Sequence, residues 1–441
     1  MTGGRNVQDE IRWINHAGYE VRSNGVRIVH DPWLDGYAFL DAWSLMAKSE
    51  YAIEDFVGVD YIWISHEHPD HFAPGVLRRI PAEVRANITI LHQFTRDKRV
   101  IAFCRKLGFT TVELPDRECV ELKNGLTITC GMDGQDSWCY LETPNTTYFN
   151  ANDCVGADWK AIGASLARPV DVLLTQFSYA SWAGNPGDDA RMQQQAREKI
   201  GQMEQQLRSL RPRILIPFAS YVWFCRPENF YLNAHANHID DIYRRFKDRL
   251  PTVVLYPGDH YHAGENFDSA QALQRYAHDA AEHPEPLAAD DKSSSMEELL
   301  RMSETHQWEL HRRNAMWLLR PLAWTGYVRP VRLYFHDIAQ GIEYSMFGGV
   351  LRQGLSADQC DLEMRTSSFA NMLAYGYGFN TFYIGGRFRE LQPGGCGRLS
   401  RNFAIFGQNA AGYSFPGLLL RKYYLLAHMP ALLTRCLRFG S

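Results

Sequence analysis

Short apolar runs punctuated by turn residues fill the first two-thirds of the chain. RIVHDPWL (27–34), YIWISHE (61–67), ITILHQF (88–94), LTITCGM (126–132) and CYLET (139–143) read as strands. So do TTYFNAND (146–153), VDVLLTQF (170–177), RILIPFA (213–219) and TVVLYPG (252–258). Several are apolar at consecutive positions, the pattern of strands covered on both faces. GDDARMQQQAREKIGQMEQQLRSL (187–210) predicts a long helix. It has a polar start, strong helix formers throughout and Pro212 just past its end. A second helix is expected at 239–249. Strands interleaved with helices indicate an α/β fold.

The composition shifts at 278–300, HDAAEHPEPLAADDKSSSMEELL, which is acidic, rich in Pro, Ser and Ala, and free of aromatic residues. It reads as a linker running into a helix. The expected division is a domain at 1–277, the linker and helix at 278–300, and a second domain at 301–441. In the last part, VRLYFHDI, GIEYSMFG and CDLEMRT look like strands and FANMLAYG like a helix, giving a smaller α+β unit. The closing LLLRKYYLLAHMPALLTRCLRF is apolar with interspersed basic residues. Packing on its own domain is the expectation, ahead of an interfacial membrane helix.

With 441 residues, 45% hydrophobic and 22% charged, the chain can bury a substantial core without a disulfide framework. A net charge of -4 gives no electrostatic case for a nucleic-acid partner. Nine scattered cysteines, with no C-x-x-C pair, suggest free thiols in a reducing compartment. The first residues show no signal pattern, and no apolar run approaches the ~20 residues of a membrane span. A cytoplasmic protein without membrane contact is expected.

The chemistry concentrates in YIWISHEHPDHF (61–72). A buried strand ends near Ser65, and His66, His68, Asp70 and His71 follow in one tight turn. Two histidines two residues apart can point the same way from an extended segment. Asp70 and His71 then reach a neighbouring position, so one loop can serve two metal ions.

This H-x-H-x-D-H turn, together with NGVRIVHDPWLDG (24–36), resembles the metallo-β-lactamase superfamily, and the likeness runs through 14–265. It implies an αββα sandwich with the site at one edge of the two sheets. By that resemblance His66 and His68 bind the first metal, Asp70 and His71 the second, and Asp153, at the end of YFNAND, bridges them. The family's third ligand to the first metal, a histidine, falls where this chain has MDGQDSW. Asp133 and Asp136 are available there, and spacing to the next strand favours Asp133. The family's last ligand follows the strand matching RILIP, but PFASY (217–221) contains no histidine. His235 and His238 in NAHANH, and His260 and His262 in GDHYH, are the nearby candidates, with His235 and His260 put forward.

HDPWLDGYAFLDAW (30–43), ISHEHPDHF, MDGQDSWCYLE, NANDC and LRPRILIPFASYVWF (210–224) together are similar to the CMP-N-acetylneuraminate hydroxylases, iron-dependent monooxygenases acting on a nucleotide sugar. The resemblance implies two metal ions, with iron put forward ahead of zinc or manganese, and a carboxylate in place of a histidine tilts the set away from zinc toward iron or manganese. It implies an oxygenase that uses O2 to hydroxylate or N-oxygenate a small polar or sugar- or nucleotide-linked substrate. Asp70 and Asp153 would serve catalysis, and Tyr221, Trp223 and Arg226 would contact substrate. The Rieske centre of that family needs C-x-H and C-x-x-H pairs, which these residues lack, so a separate electron-donor protein is expected. The alternative is a hydrolase that uses a metal-bound hydroxide on an ester, lactone, amide or phosphodiester. CDLEMRTSSFANMLAYGYG and NTFYIGGRF weakly resemble sterol-carrier-like domains, implying an apolar ligand or a dimerising lid.

Overall fold

In the computed structural model, residues 9–288 and 292–417 are described. The chain divides into two compact units, Met1–Ala288 and Ala289–Ser441. This boundary falls inside the expected 278–300 stretch of linker and helix. Helix Ala270–Ala281 extends into it and helix Met296–Arg313 starts within it. Ser295 begins the latter with a capping box, accepting from the Glu298 amide while Glu298 accepts from the Ser295 amide. The apolar stretch 418–439 lies outside the described residues.

The first unit is an αββα sandwich. One sheet has seven strands in the order His260–His262, Glu10–Asn15, Gly18–Ser23, Val26–His30, Tyr61–Ile64, Thr89–Gln93 and Thr110–Leu114. The other has six, in the order Ile214–Phe218, Val172–Gln176, Thr147–Asn150, Asp136–Glu142, Thr127–Asp133 and Cys119–Glu121. Strand alternation sorts the side chains of Tyr61–Ile64. Tyr61 and Trp63 join the core shared with Ile128, Phe149 and Leu173 of the second sheet. Ile62 and Ile64 join Val76, Leu77, Val100 and Cys104, which come from helices Pro74–Arg79 and Arg99–Lys106. Hence the near-continuous apolar runs in the sequence.

One expectation is corrected here, and one hairpin is added. TVVLYPG forms no strand. It makes one bridge, Leu215 to Thr252, because Pro251 and Pro257 flank the run and remove ladder donors. Conversely, Glu10–Asn15 and Gly18–Ser23 form a hairpin beside Val26–His30. The expected helices appear at Asp189–Leu210 and Ile239–Phe246.

The second unit has a five-stranded sheet in the order Gly349–Leu355, Gln340–Ser345, Val331–Phe335, Leu362–Met364 and Phe388–Glu390. Helices Met296–Arg313, Thr366–Ala374, Gly378–Gly385 and Gly395–Ala410 accompany it. Among the described residues no helix is long and apolar enough to cross a membrane.

Candidate metal centre

Four loops that leave strand ends meet at one place. The first follows Tyr61–Ile64 and carries His66, His68, Asp70 and His71. The second, after Val26–His30, carries Asp31, whose amide donates to the Trp63 carbonyl at 3.0 Å. The third is the turn between Thr127–Asp133 and Asp136–Glu142, and the fourth follows Thr147–Asn150 and carries Asp153.

The donor atoms form a continuous chain. His66 Nε2 lies 2.8 Å from His68 Nδ1 and 3.5 Å from Asp136 Oδ1. His71 Nε2 lies 3.4 Å from Asp153 Oδ2 and 3.3 Å from Asp70 Oδ2. His16 Nε2 is 3.3 Å from that same Asp70 oxygen. Three groups therefore have donor atoms within 4.8 Å of one another: His66–His68–Asp136, His66–His71–Asp153 and His16–Asp70–His71. Asp70 Oδ1 and Asp136 Oδ1 are buried oxygens with no hydrogen-bond donor. Buried carboxylate oxygens are expensive to leave unpaired, and facing imidazole nitrogens within 4 Å is the arrangement that a divalent cation satisfies.

A supporting layer fixes these groups. Asp31 Oδ2 accepts from His71 Nδ1 at 2.8 Å and from the Ser65 hydroxyl at 2.6 Å, and Asp31 Oδ1 accepts from the Ser65 amide at 2.8 Å. A proton held on His71 Nδ1 leaves Nε2 free to bind a metal. The Gln176 amide donates to Asp153 Oδ1 at 3.1 Å, and Lys199 donates to Gln176 in turn.

Electrostatics within this cluster are strongly perturbed. Burial, reinforced by His71 and His68, holds His66 well below the usual imidazole range. Burial also opposes the charged form of His71, but Asp70, Asp153 and Asp31 outweigh it and raise His71 well above that range. For Asp70, burial is overcome by His71 and His16, and its carboxyl is driven well down. Asp136 is pushed up to about 6, chiefly by burial, against the pull of His68.

The structure thus brings together His66, His68, Asp70, His71 and Asp153. It places Asp136, not Asp133, against His66 and His68. Asp133 turns away and accepts from the Gly156 amide at 2.7 Å. A Cβ at Gly156 would fall 2.7 Å from that carboxylate, so a larger residue there would shift the Asp133 side chain. Asp133 and Asp136 are cross-strand partners at the hairpin mouth, so register alone does not separate them. The Gly156 amide, on the loop after Asp153, engages Asp133 and leaves Asp136 to the histidines.

His235 and His260 lie elsewhere: His235 pairs with Asp189 at 3.0 Å, and His260, on an edge strand, pairs with Glu10 at 2.7 Å. His262 Nδ1 faces the Asp9 carbonyl, and His238 begins helix Ile239–Phe246. Sequence reasoning missed His16, Asp31 and Ser65. The signals available were the histidine of NHAG and the aspartate of HDPW, both just after apolar runs.

A cavity of about 170 Å3 is lined by Trp43, Phe177, Tyr179, Tyr221, Trp223 and Tyr276, among others. Phe177 directly follows Gln176, the residue bonded to Asp153. Trp43 packs on Phe39, whose ring is 5.7 Å from that of His68. Tyr221 stacks on Tyr276 at 4.3 Å and donates to the Pro217 carbonyl. Trp223 lines the cavity and stacks on His283. Arg226, expected at the substrate, instead donates to the Asp41 and Ala288 carbonyls and is only 3% exposed.

Residues 10–124 match the family described as beta-lactamase superfamily domain. The cytidine monophosphate-N-acetylneuraminic acid hydroxylase of Danio rerio is 24% identical over 245 residues, covering 50% of this chain and 40% of that protein. A putative Rieske 2Fe-2S iron-sulfur protein of Mycolicibacterium smegmatis is 27% identical over 226 residues, 48% of this chain and 42% of its own. The matched region therefore spans less than half the length of these relatives. Among solved structures, CmlA, a diiron beta-hydroxylase from Streptomyces venezuelae, is similar at 16% identity and a TM-score of 0.42, covering 58% of this chain and 54% of its own. Residues 10–124 thus match a beta-lactamase superfamily domain and lie within the αββα sandwich of the first unit.

Proposed function

We propose that the first unit is a dinuclear-metal oxygenase, loaded with iron, that hydroxylates or N-oxygenates a small polar substrate. The observation that carries this reading is the donor set itself. His66, His68 and Asp136 face one position, and His71, Asp70 and Asp153 face its neighbour. Three carboxylates to three imidazoles is a hard, oxygen-rich set that suits iron or manganese better than a histidine-dominated site would. Bound there, such ions supply redox chemistry with O2.

The protein's own residues supply position and access. Asp31 fixes His71 in the tautomer that presents Nε2, and the Ser65 hydroxyl, 2.9 Å from His66 Nδ1, does the same for His66. Gln176 and Lys199 hold Asp153 by one oxygen and leave the other toward His71. The aromatic cavity offers ring faces for stacking a planar group, and the indole N–H groups of Trp43 and Trp223 have no hydrogen-bond acceptor. A nucleotide-linked substrate, of the kind named for the hydroxylase relatives, fits this chemistry. Reducing electrons come from outside these 441 residues.

Hydrolysis is the second reading. Asp70 Oδ1, buried without a donor, could accept a proton from an attacking water. Metal analysis and oxygen uptake separate the two. About two irons per chain, with reductant-dependent O2 consumption lost in His68→Ala, is the expected result. Zinc alone after expression in iron-replete medium, with no O2 consumption, overturns the oxygenase and leaves hydrolysis.

A further inference from the structure

We infer that His16 is a metal ligand that closes the Asp70–His71 side of the centre, in place of the histidine missing from the PFASY strand. The inference rests on the dinuclear reading above, and its ground is geometric. His16 is 1% exposed, and its Nε2 lies 3.3 Å from Asp70 Oδ2. Its donor nitrogen, with those of Asp70 and His71, falls within 4.8 Å. Without His16, that side holds Asp70, His71 and the shared Asp153, one protein donor fewer than a four-ligand set.

The backbone around His16 explains how a residue so early in the chain reaches the site. It occupies the first position of the two-residue turn His16–Ala17, between strands Glu10–Asn15 and Gly18–Ser23. Its φ is 44°, the left-handed conformation that the first position of a two-residue hairpin turn adopts. Three contacts hold it there. The His16 amide donates to Asn15 Oδ1 at 2.9 Å, and Asn15 Nδ2 donates to the Ala47 carbonyl at 2.7 Å. The His16 carbonyl accepts from the Ala219 amide at 2.9 Å.

Ala219 is the residue just past strand Ile214–Phe218, where the superfamily's last histidine is expected and this chain has none. One backbone hydrogen bond therefore brings the imidazole of the N-terminal hairpin to the position vacated on the other sheet. The ring is further fixed edge-on to Trp33 at 5.7 Å and to His71 at 5.9 Å. The two-residue hairpin turn calls for a positive φ at its first position, and that turn brings the buried His16 ring against the Asp70 carboxylate.

The competing role is a hydrogen bond that merely positions Asp70. Ferrous and, in parallel, cobaltous ion are titrated anaerobically into the full chain and into His16→Ala and His16→Gln. The glutamine amide reaches the position of the imidazole Nε2 and can still donate to Asp70, but it is a poor metal ligand. The expected stoichiometry is two ions for the wild type and about one for both variants. Two ions in His16→Gln, at affinity within threefold of wild type, overturns the ligand role. The wild type also tests it without any variant. In the cobalt-loaded protein, paramagnetically shifted ring N–H resonances count the bound imidazoles. Four supports the inference and three overturns it. Neither readout depends on turnover, so a loss of the oxygenase reading leaves this result standing. A wild-type chain that binds no metal removes both.

Discussion

Four non-glycine residues with left-handed backbone stand at the metal centre: His16 (φ 44°), Asp31 (37°), Asn152 (49°) and Ala219 (51°) each touch a donor or its neighbour. Such conformations persist where surrounding contacts over-determine them, and they re-aim side chains that a regular strand would point elsewhere. Asp31 is the clearest case. Its carboxylate serves His71 and Ser65 at once, so Asp31→Ala should weaken metal binding by roughly 10–100-fold while leaving the donor atoms in place. Metal-buffered titration measures this, and an affinity equal to wild type would remove Asp31 from the supporting layer. The two aspartates of MDGQDSW should separate in the same assay. Asp136→Ala loses an ion or binds it more weakly than Asp31→Ala does. Asp133→Ala keeps wild-type stoichiometry, since its carboxylate only closes the turn onto Gly156.

At the scale of elements, the hairpin Thr127–Asp133/Asp136–Glu142 carries Asp136 to the histidines, and its packing tolerates little change. Gly131 pairs with Trp138, and a Cβ there would fall 2.0 Å from the indole ring. Gly131→Ala should destabilise the first unit by about 1–3 kcal/mol or more through overpacking. Urea denaturation reads this, and Trp138→Phe in the same chain should recover part of the loss. In the second unit, helix Met296–Arg313 buries His306 against Phe403 and Phe406, its Nδ1 donating to the Leu373 carbonyl. Burial pulls this imidazole down to about 4 from 6.5. The native histidine stays neutral while the unfolded one protonates below pH 6.5. Its contribution to stability is therefore full above pH 6.5, falls as pH drops toward 4, and amounts to about 3 kcal/mol. Unfolding of the second unit followed at pH 7.5 and 4.5 should show that slope, and His306→Phe should flatten it.

For the molecule as a whole, two separate cores account for the division at Ala288. Every donor of the centre, and the residues named for the cavity, come from the first unit. Its last described residues are tied back to it, since the Leu287 amide donates to the Cys225 carbonyl and Arg226 binds the Ala288 carbonyl. A chain ending at Ala288 should therefore fold cooperatively and bind the same number of metal ions as the full chain. Calorimetry with elemental analysis tests this. A truncated chain that melts without cooperativity, or binds no metal, would show that the second unit is needed to complete the first.

The sequence by itself determined what depends on neighbours along the chain. The apolar run of Tyr61–Ile64 and the H-x-H-x-D-H turn after it are local, and so is the long helix Asp189–Leu210. The sandwich was legible because strands buried on both faces leave continuous apolar runs. Tertiary structure alone decided which aspartate of the 133–136 turn meets His66 and His68, because the Gly156 amide, brought up by another loop, engages Asp133 and leaves Asp136 to the histidines. It also decided that His235 and His260 pair with surface acids while His16, some fifty residues before Asp70, lies against that carboxylate. These outcomes depend on contacts between segments far apart in the chain, such as the bond from the Ala219 amide to the His16 carbonyl, and sequence spacing carries no information about them.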